Sequence, residues 1–231
     1  MPEEPASVDY AVDRRLSAGR FVVARPGHDS RPNVWIEPRD TNVMNASAAD
    51  IVKGWPDESR EAAQLVIDAY GPPHEASESL LVWHAVGPWK RMVASRAFYQ
   101  HQFPAPHTDS VESVIDYRVP AERFSDLATF DGSVIAERTA GEVSARCHDE
   151  QANFLALNLM HDIVTGAKTV DQARQYYAKE FADYRRKRPT PYMEKLRFSP
   201  GNSSTADPDE RLLSDEDLEK AVAEGKQTRN G

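Results

Sequence analysis

Apolar residues recur at spacings of three and four in some stretches of the chain and alternate with polar ones in others. These two periods separate helices from strands. Ser47 can cap a short helix through Lys53, and Gly54-Trp55-Pro56 breaks it. Asp57 opens a second helix with a buried stripe of Ala62, Leu65, Val66 and Ala69. It stops at Tyr70, because Gly71 suits a helix end and Pro72-Pro73 cannot continue it.

Two strands follow, Ser79 to Val86 and Lys90 to Phe98, joined through Gly87-Pro88 as a hairpin. Leu81 and Trp83 share one face of the first strand, opposite Leu80, Val82 and His84. Two prolines make residues 99–110 a loop, and a third strand runs from Val111 to Val119. Pro120 opens a short helix through Ala128. Phe130-Asp131-Gly132 then turns the chain into a hairpin of Ser133 to Thr139 and Glu142 to Arg146. The most apolar helix spans residues 149–165 and ends at Gly166. Thr169 and Gln172 form a capping box for a last long helix, whose stripe is Val170, Ala173, Tyr177, Phe181 and Tyr184.

Consecutive strands with short connections predict an α+β fold, an antiparallel sheet of about five strands with helices packed on one face. Residues 43–198 form that single domain, preceded by a flexible arm over 1–42 and followed by an acidic tail over 199–231. The tail holds eight acids against four bases and has too few apolar groups to offset the entropy of ordering. A short helix from Ser214, with Asp217 completing a capping box, is its one ordered feature expected.

Charge and composition narrow the function classes. Net charge is −9, which argues against attraction to nucleic acid or an anionic membrane. The cationic run Arg185-Arg186-Lys187-Arg188 falls in the last turn of a helix, where cations favour the negative end of the dipole. No apolar run approaches the roughly 20 residues that span a bilayer. The start Met1-Pro2-Glu3-Glu4-Pro5 lacks the regions of a secretory signal, so a soluble, cytoplasmic protein is expected. The single cysteine, Cys147, can form neither an internal disulfide nor a Cys-rich zinc cluster. Phosphate-binding loops, nucleophile elbows and zinc-protease motifs are absent from the sequence.

Two local groups carry candidate chemistry. The first is His101-Gln102-Phe103-Pro104-Ala105-Pro106-His107-Thr108-Asp109. Imidazole and carboxylate suit divalent first-row metals, and His107 and Asp109 fall on one side of an extended segment. His161 from the apolar helix is the third donor expected, in a metal site between the 101–109 loop and the 149–165 helix. The second group lies along that helix: Asn158 and His161, one turn apart, with Cys147 just before it, form a candidate small-ligand site. Gln151, Asn158 and Asp162 also share one narrow stripe, which reads as a solvated edge. The function expected is a non-enzymatic module that binds a small ligand or a protein partner. The alternative is a metal-dependent protein or enzyme using His107, Asp109 and His161.

Overall fold

The computed structural model describes residues 47–201 and 209–228. The arm expected over residues 1–42 lies outside the described residues. Two helices, α1 (Ala48–Val52) and α2 (Asp57–Tyr70), precede the strands. Six strands then form one antiparallel sheet: β1 (Glu75–Ala76), β2 (Leu80–Val86), β3 (Trp89–His101), β4 (His107–Asp116), β5 (Val134–Glu137) and β6 (Glu142–Cys147). Their order across the sheet is β1-β2-β3-β4-β6-β5. A 3-10 turn (Ala121–Arg123) leads into α3 (Phe124–Phe130). The last strand is followed by α4 (Glu150–Val164), α5 (Val170–Arg185), α6 (Pro191–Glu194) and, in the tail, α7 (Asp215–Thr228). No helix among the described residues is long and apolar enough to cross a membrane.

Local signals fix several of these elements. Asp149 caps α4 through the Ala152 amide at 2.9 Å, and Thr169 with Gln172 closes the capping box of α5. Ser214 and Asp217 bond reciprocally at the start of α7, through distances of 2.9 and 3.1 Å. Gly87, at φ 53°, turns β2 into β3 in a conformation that disfavours side chains, and a Cβ there would meet the Tyr70 hydroxyl at 2.6 Å.

The core lies between the sheet and the helices on one face. Helix α2 packs on β3 and β4, α4 on β4 and β6, and α5 with α6 against α4. Leu155, Leu157, Leu159 and Met160 are wholly buried, so α4 is a central rod rather than a surface helix. Trp83 is buried too and donates its indole N–H to the Gly71 carbonyl at 2.9 Å.

Two differences from the sequence reading matter for the site. The loop expected over residues 99–110 shrinks to five residues, 102–106, because β3 continues to His101 and β4 begins at His107. Pairing with the neighbour keeps these strand ends extended, and the prolines confine the turn itself to Phe103-Pro104-Ala105-Pro106. In addition, Asn158 is buried rather than part of a solvated edge. The segment around α6 covers it, while Gln151 at the start of the same stripe is exposed.

Glu150 ties three elements together. Its Oε1 accepts from the Tyr70 hydroxyl of α2 and from Trp89 Nε1 of β3, the latter at 2.5 Å. Burial, and then the Glu150 carboxylate, push the Tyr70 phenol well above its usual range, so the hydroxyl stays a donor. Glu150→Ala leaves both donors without a partner and is expected to cost about 2–3 kcal/mol. Glu150→Gln keeps an acceptor and is expected to cost about 1 kcal/mol. Urea unfolding followed by tryptophan fluorescence measures both.

Candidate metal centre

Antiparallel pairing assembles the centre. His101 faces His107 across the β3–β4 pair, and Tyr99 faces Asp109. Side chains directly opposite each other lie on the same sheet face, and so do residues two apart on one strand. His101, His107 and Asp109 therefore project together, and one donor atom from each lies within 4.8 Å of the others. On β6, Cys147 pairs with Val111, which shares the face of Asp109. Asp131 and Ser133 come from the turn between α3 and β5.

The contacts are close and mostly out of water. His107 Nε2 lies 3.1 Å from Asp109 Oδ1 and 3.4 Å from the Cys147 thiol. His101 Nδ1 lies 3.3 Å from Asp109 Oδ2, and its Nε2 lies 3.7 Å from Asp131 Oδ1. The Ser133 hydroxyl donates to Asp109 Oδ2, and its amide donates to Asp131 Oδ1 at 2.8 Å. Asp109 is 1% exposed and Asp131 4%. Phe103 packs on Tyr177, with ring centroids 5.1 Å apart, and the Arg174 guanidinium covers Phe103 at 3.9 Å.

The state of His107 follows from its partners. Its Nδ1 lies 2.8 Å from the Ala105 carbonyl. A carbonyl only accepts, so Nδ1 carries a proton. In a neutral ring, Nε2 then presents a lone pair toward Asp109 Oδ1. That oxygen is buried and has no hydrogen-bond partner: the contact is short but not aligned as a hydrogen bond. Two lone pairs face each other unless a cation, proton or metal, sits between them.

Titration follows the same geometry. Burial works to lower the His107 pKa, but Asp109 and the Ala105 carbonyl outweigh it, and the net shift is upward. Burial raises the Asp131 carboxyl, against the Ser133 amide and His101, which lower it. Burial, followed by the charges of Asp109 and Asp149, holds the Cys147 thiol well above its usual range. Without a metal Cys147 is a protonated packing group, not a nucleophile.

The structure brings His107 and Asp109 together, but their third partner is His101. His161 lies elsewhere. Its Nδ1 is hydrogen-bonded to the Tyr117 hydroxyl at 2.9 Å, and its ring stacks on Phe198 at 4.3 Å between centroids. Burial lowers its pKa, with Asp162 opposing, which favours the neutral ring. Asn158 is engaged as well: Nδ2 donates to the carbonyls of Tyr192 and Lys195, and Oδ1 accepts from the Arg197 amide at 2.7 Å. Asn158 and His161 thus converge on the chain's own segment 192–198, not on a ligand cavity. Cys147 joins neither of them and sits beside His107. Sequence reasoning passed over His101, Asp131, Ser133 and Tyr177 as site residues. The signal for His101 is its mirror position to His107 about the proline turn, which a hairpin reading would have paired.

A cleft of about 370 Å³ opens beside the cluster, lined by His107, Cys147, His148, Phe181, Arg185 and Met193 among others. No protein-family model, curated protein or solved structure matches the chain.

Proposed function

We propose that the protein is a metal-stabilised small-ligand-binding module, holding one divalent transition-metal ion through His101, His107 and Asp109. The observation that carries this is the orphaned Asp109 Oδ1, buried and 3.1 Å from His107 Nε2. Metal–donor bonds of about 2.0–2.3 Å, at angles from square to tetrahedral, give donor–donor edges of about 2.9–3.6 Å. The separation of His107 Nε2 from Asp109 Oδ1, 3.1 Å, falls in that range, and so does that of His101 Nδ1 from the other carboxylate oxygen, Oδ2, 3.3 Å, so the carboxylate would face the ion with both oxygens. Two donors have a hydrogen-bonded outer partner, Ala105 for His107 and Ser133 for Asp109, and the Asp131 carboxylate lies 3.7 Å from the far nitrogen of His101. A divalent ion would balance the two buried carboxylates, which are otherwise costly together.

The ion would lock the β3–β4 turn to β5 and β6, and His107 and Cys147 form part of the cleft wall there. The cleft has the size of a small-molecule site. No conventional catalytic motif is present in the sequence, so a binding role is preferred over turnover.

Calorimetric titration of chelator-treated protein with zinc tests this. One equivalent should bind with release of protons, and the double variant His101→Ala/His107→Ala should bind none. Occupancy below about 0.1 equivalent, with no titration heat, would mean that a hydrogen-bonded ion-pair network fills the space instead.

A further inference from the structure

Resting on the small-ligand reading of that cleft, we infer that its occupant is a monocarboxylate with a flat apolar body, held at its charged end by Arg185. Phe181 and Tyr184 of α5, Met193 of α6 and Pro106 of the β3–β4 turn give the cleft its apolar surface. Aromatic walls favour a flat partner. At about 370 Å³ the space lies at the small end of ligand pockets, which run from ~300 to ~1,000 Å³.

Arg185 is the cation of the lining. Its neighbours in sequence, Arg186 and Arg188, each lie 3.3 Å from Asp183, and Lys179 lies 2.8 Å from the same carboxylate. Among the described residues Arg185 meets no carboxylate. Its guanidinium instead lies over the Phe181 ring, 5.0 Å from the centroid. Stacking uses the face of the guanidinium and leaves its in-plane N–H groups for a bidentate carboxylate. The helix dipole accounts for a cation at the end of α5. It does not account for a guanidinium folded over the cleft wall rather than onto Asp183.

The same ring leads to the metal centre. Phe181 packs against His107 with centroids 6.3 Å apart. A body seated against Phe181 therefore touches the wall that the ion braces while its carboxylate meets Arg185, and loading the ion should tighten its binding. Asp149 is the carboxylate of the lining, and it caps α4 through the Ala152 amide at 2.9 Å. Its charge repels a second anionic group, which argues for one carboxylate on the ligand rather than two. His148 adds an imidazole N–H donor to the same lining.

Calorimetric titration of the full chain with 2-naphthoate, with and without zinc, provides the test, and neutral 2-naphthamide is the comparison. Zinc-loaded protein should bind the carboxylate with a dissociation constant of about 0.1–1 mM. The amide should bind at least about tenfold more weakly. Arg185→Ala should lose the same factor, and Arg185→Lys should recover part of it, because an ammonium keeps the charge without the planar fork. Arg185 is exposed, so neither change disturbs the fold. Naphthoate that binds no tighter than naphthamide, or as tightly to Arg185→Ala as to wild type, overturns the inference. So does zinc-loaded protein that binds neither probe, and its zinc heat then leaves the metal reading standing. Naphthoate binding without any zinc binding overturns the metal reading and leaves the carboxylate site in place.

Discussion

Zinc should stabilise the chelator-treated protein by about 4 kcal/mol when the free ion exceeds its dissociation constant a thousandfold. The argument is mass action: only the native state brings His101, His107 and Asp109 within 4.8 Å, so the ion binds native and not unfolded chains. Asp109→Asn separates this from a plain stability effect. In the metal-free variant the new amide can donate to His107 Nε2, which faces Asp109 at 3.1 Å, and one buried charge is gone. Above the folded pKa of His107, where the ring is neutral, its metal-free stability should therefore match or exceed the wild type's, and below it the variant lacks the imidazolium–carboxylate pair and should be the less stable; the zinc gain disappears in both ranges. Urea unfolding with and without zinc checks both halves. A variant that loses metal-free stability and keeps the zinc gain would contradict the assignment.

The same site fixes the sign of a pH effect. The folded His107 pKa is raised above its unfolded value. Its contribution to metal-free stability is then fully present below the unfolded pKa and is lost as pH rises through the folded one. Zinc competes with that proton, so the zinc-dependent gain grows over the same rise in pH. Opposite slopes with and without metal are a signature that a hydrogen-bonded network lacks.

Capping boxes at Thr169 and Ser214 were legible in the sequence because each depends on residues three apart. The helical character of α4 was legible from its apolar run, Phe154 to Leu157 with Leu159 and Met160, whereas the burial of Asn158 was not, because it depends on the segment around α6 that covers it. The extent of β3 was hidden. A register shift between Ala94 and Tyr99 breaks its alternation, and Pro104 and Pro106 made a short turn look like a long loop. Half of the candidate centre, His107 and Asp109, follows from spacing on one strand. The other half depends on which strand lies alongside, and no local pattern carries that information. His161 was misplaced for the same reason. Its Tyr117 partner lies just beyond the opposite end of β4 from His107.

Asn158→Ala should cost about 3–4 kcal/mol, close to the largest effect expected of a single polar substitution here. The amide makes three bonds that bring the segment around α6 onto α4: two donated to Tyr192 and Lys195, at 2.9 and 2.8 Å, and one accepted from Arg197 at 2.7 Å. Alanine removes all three and strands two carbonyls and an amide against an apolar helix. Asn158→Asp keeps the acceptor for Arg197 but sets a carboxylate against two carbonyls. It should therefore be less stable than alanine at neutral pH and recover as acid protonates it. Urea unfolding gives the magnitudes, and amide exchange at residues 195–198 should rise in both variants. Asn158 lies on the C-terminal half of α4, whereas the cleft meets that helix at Asp149 and Ala152. The zinc gain should therefore survive in full, because effects at separate sites without shared partners add. A loss of zinc response in Asn158→Ala would mean that the centre depends on the packing of the whole rod rather than on the β3–β4 pairing that assembles it.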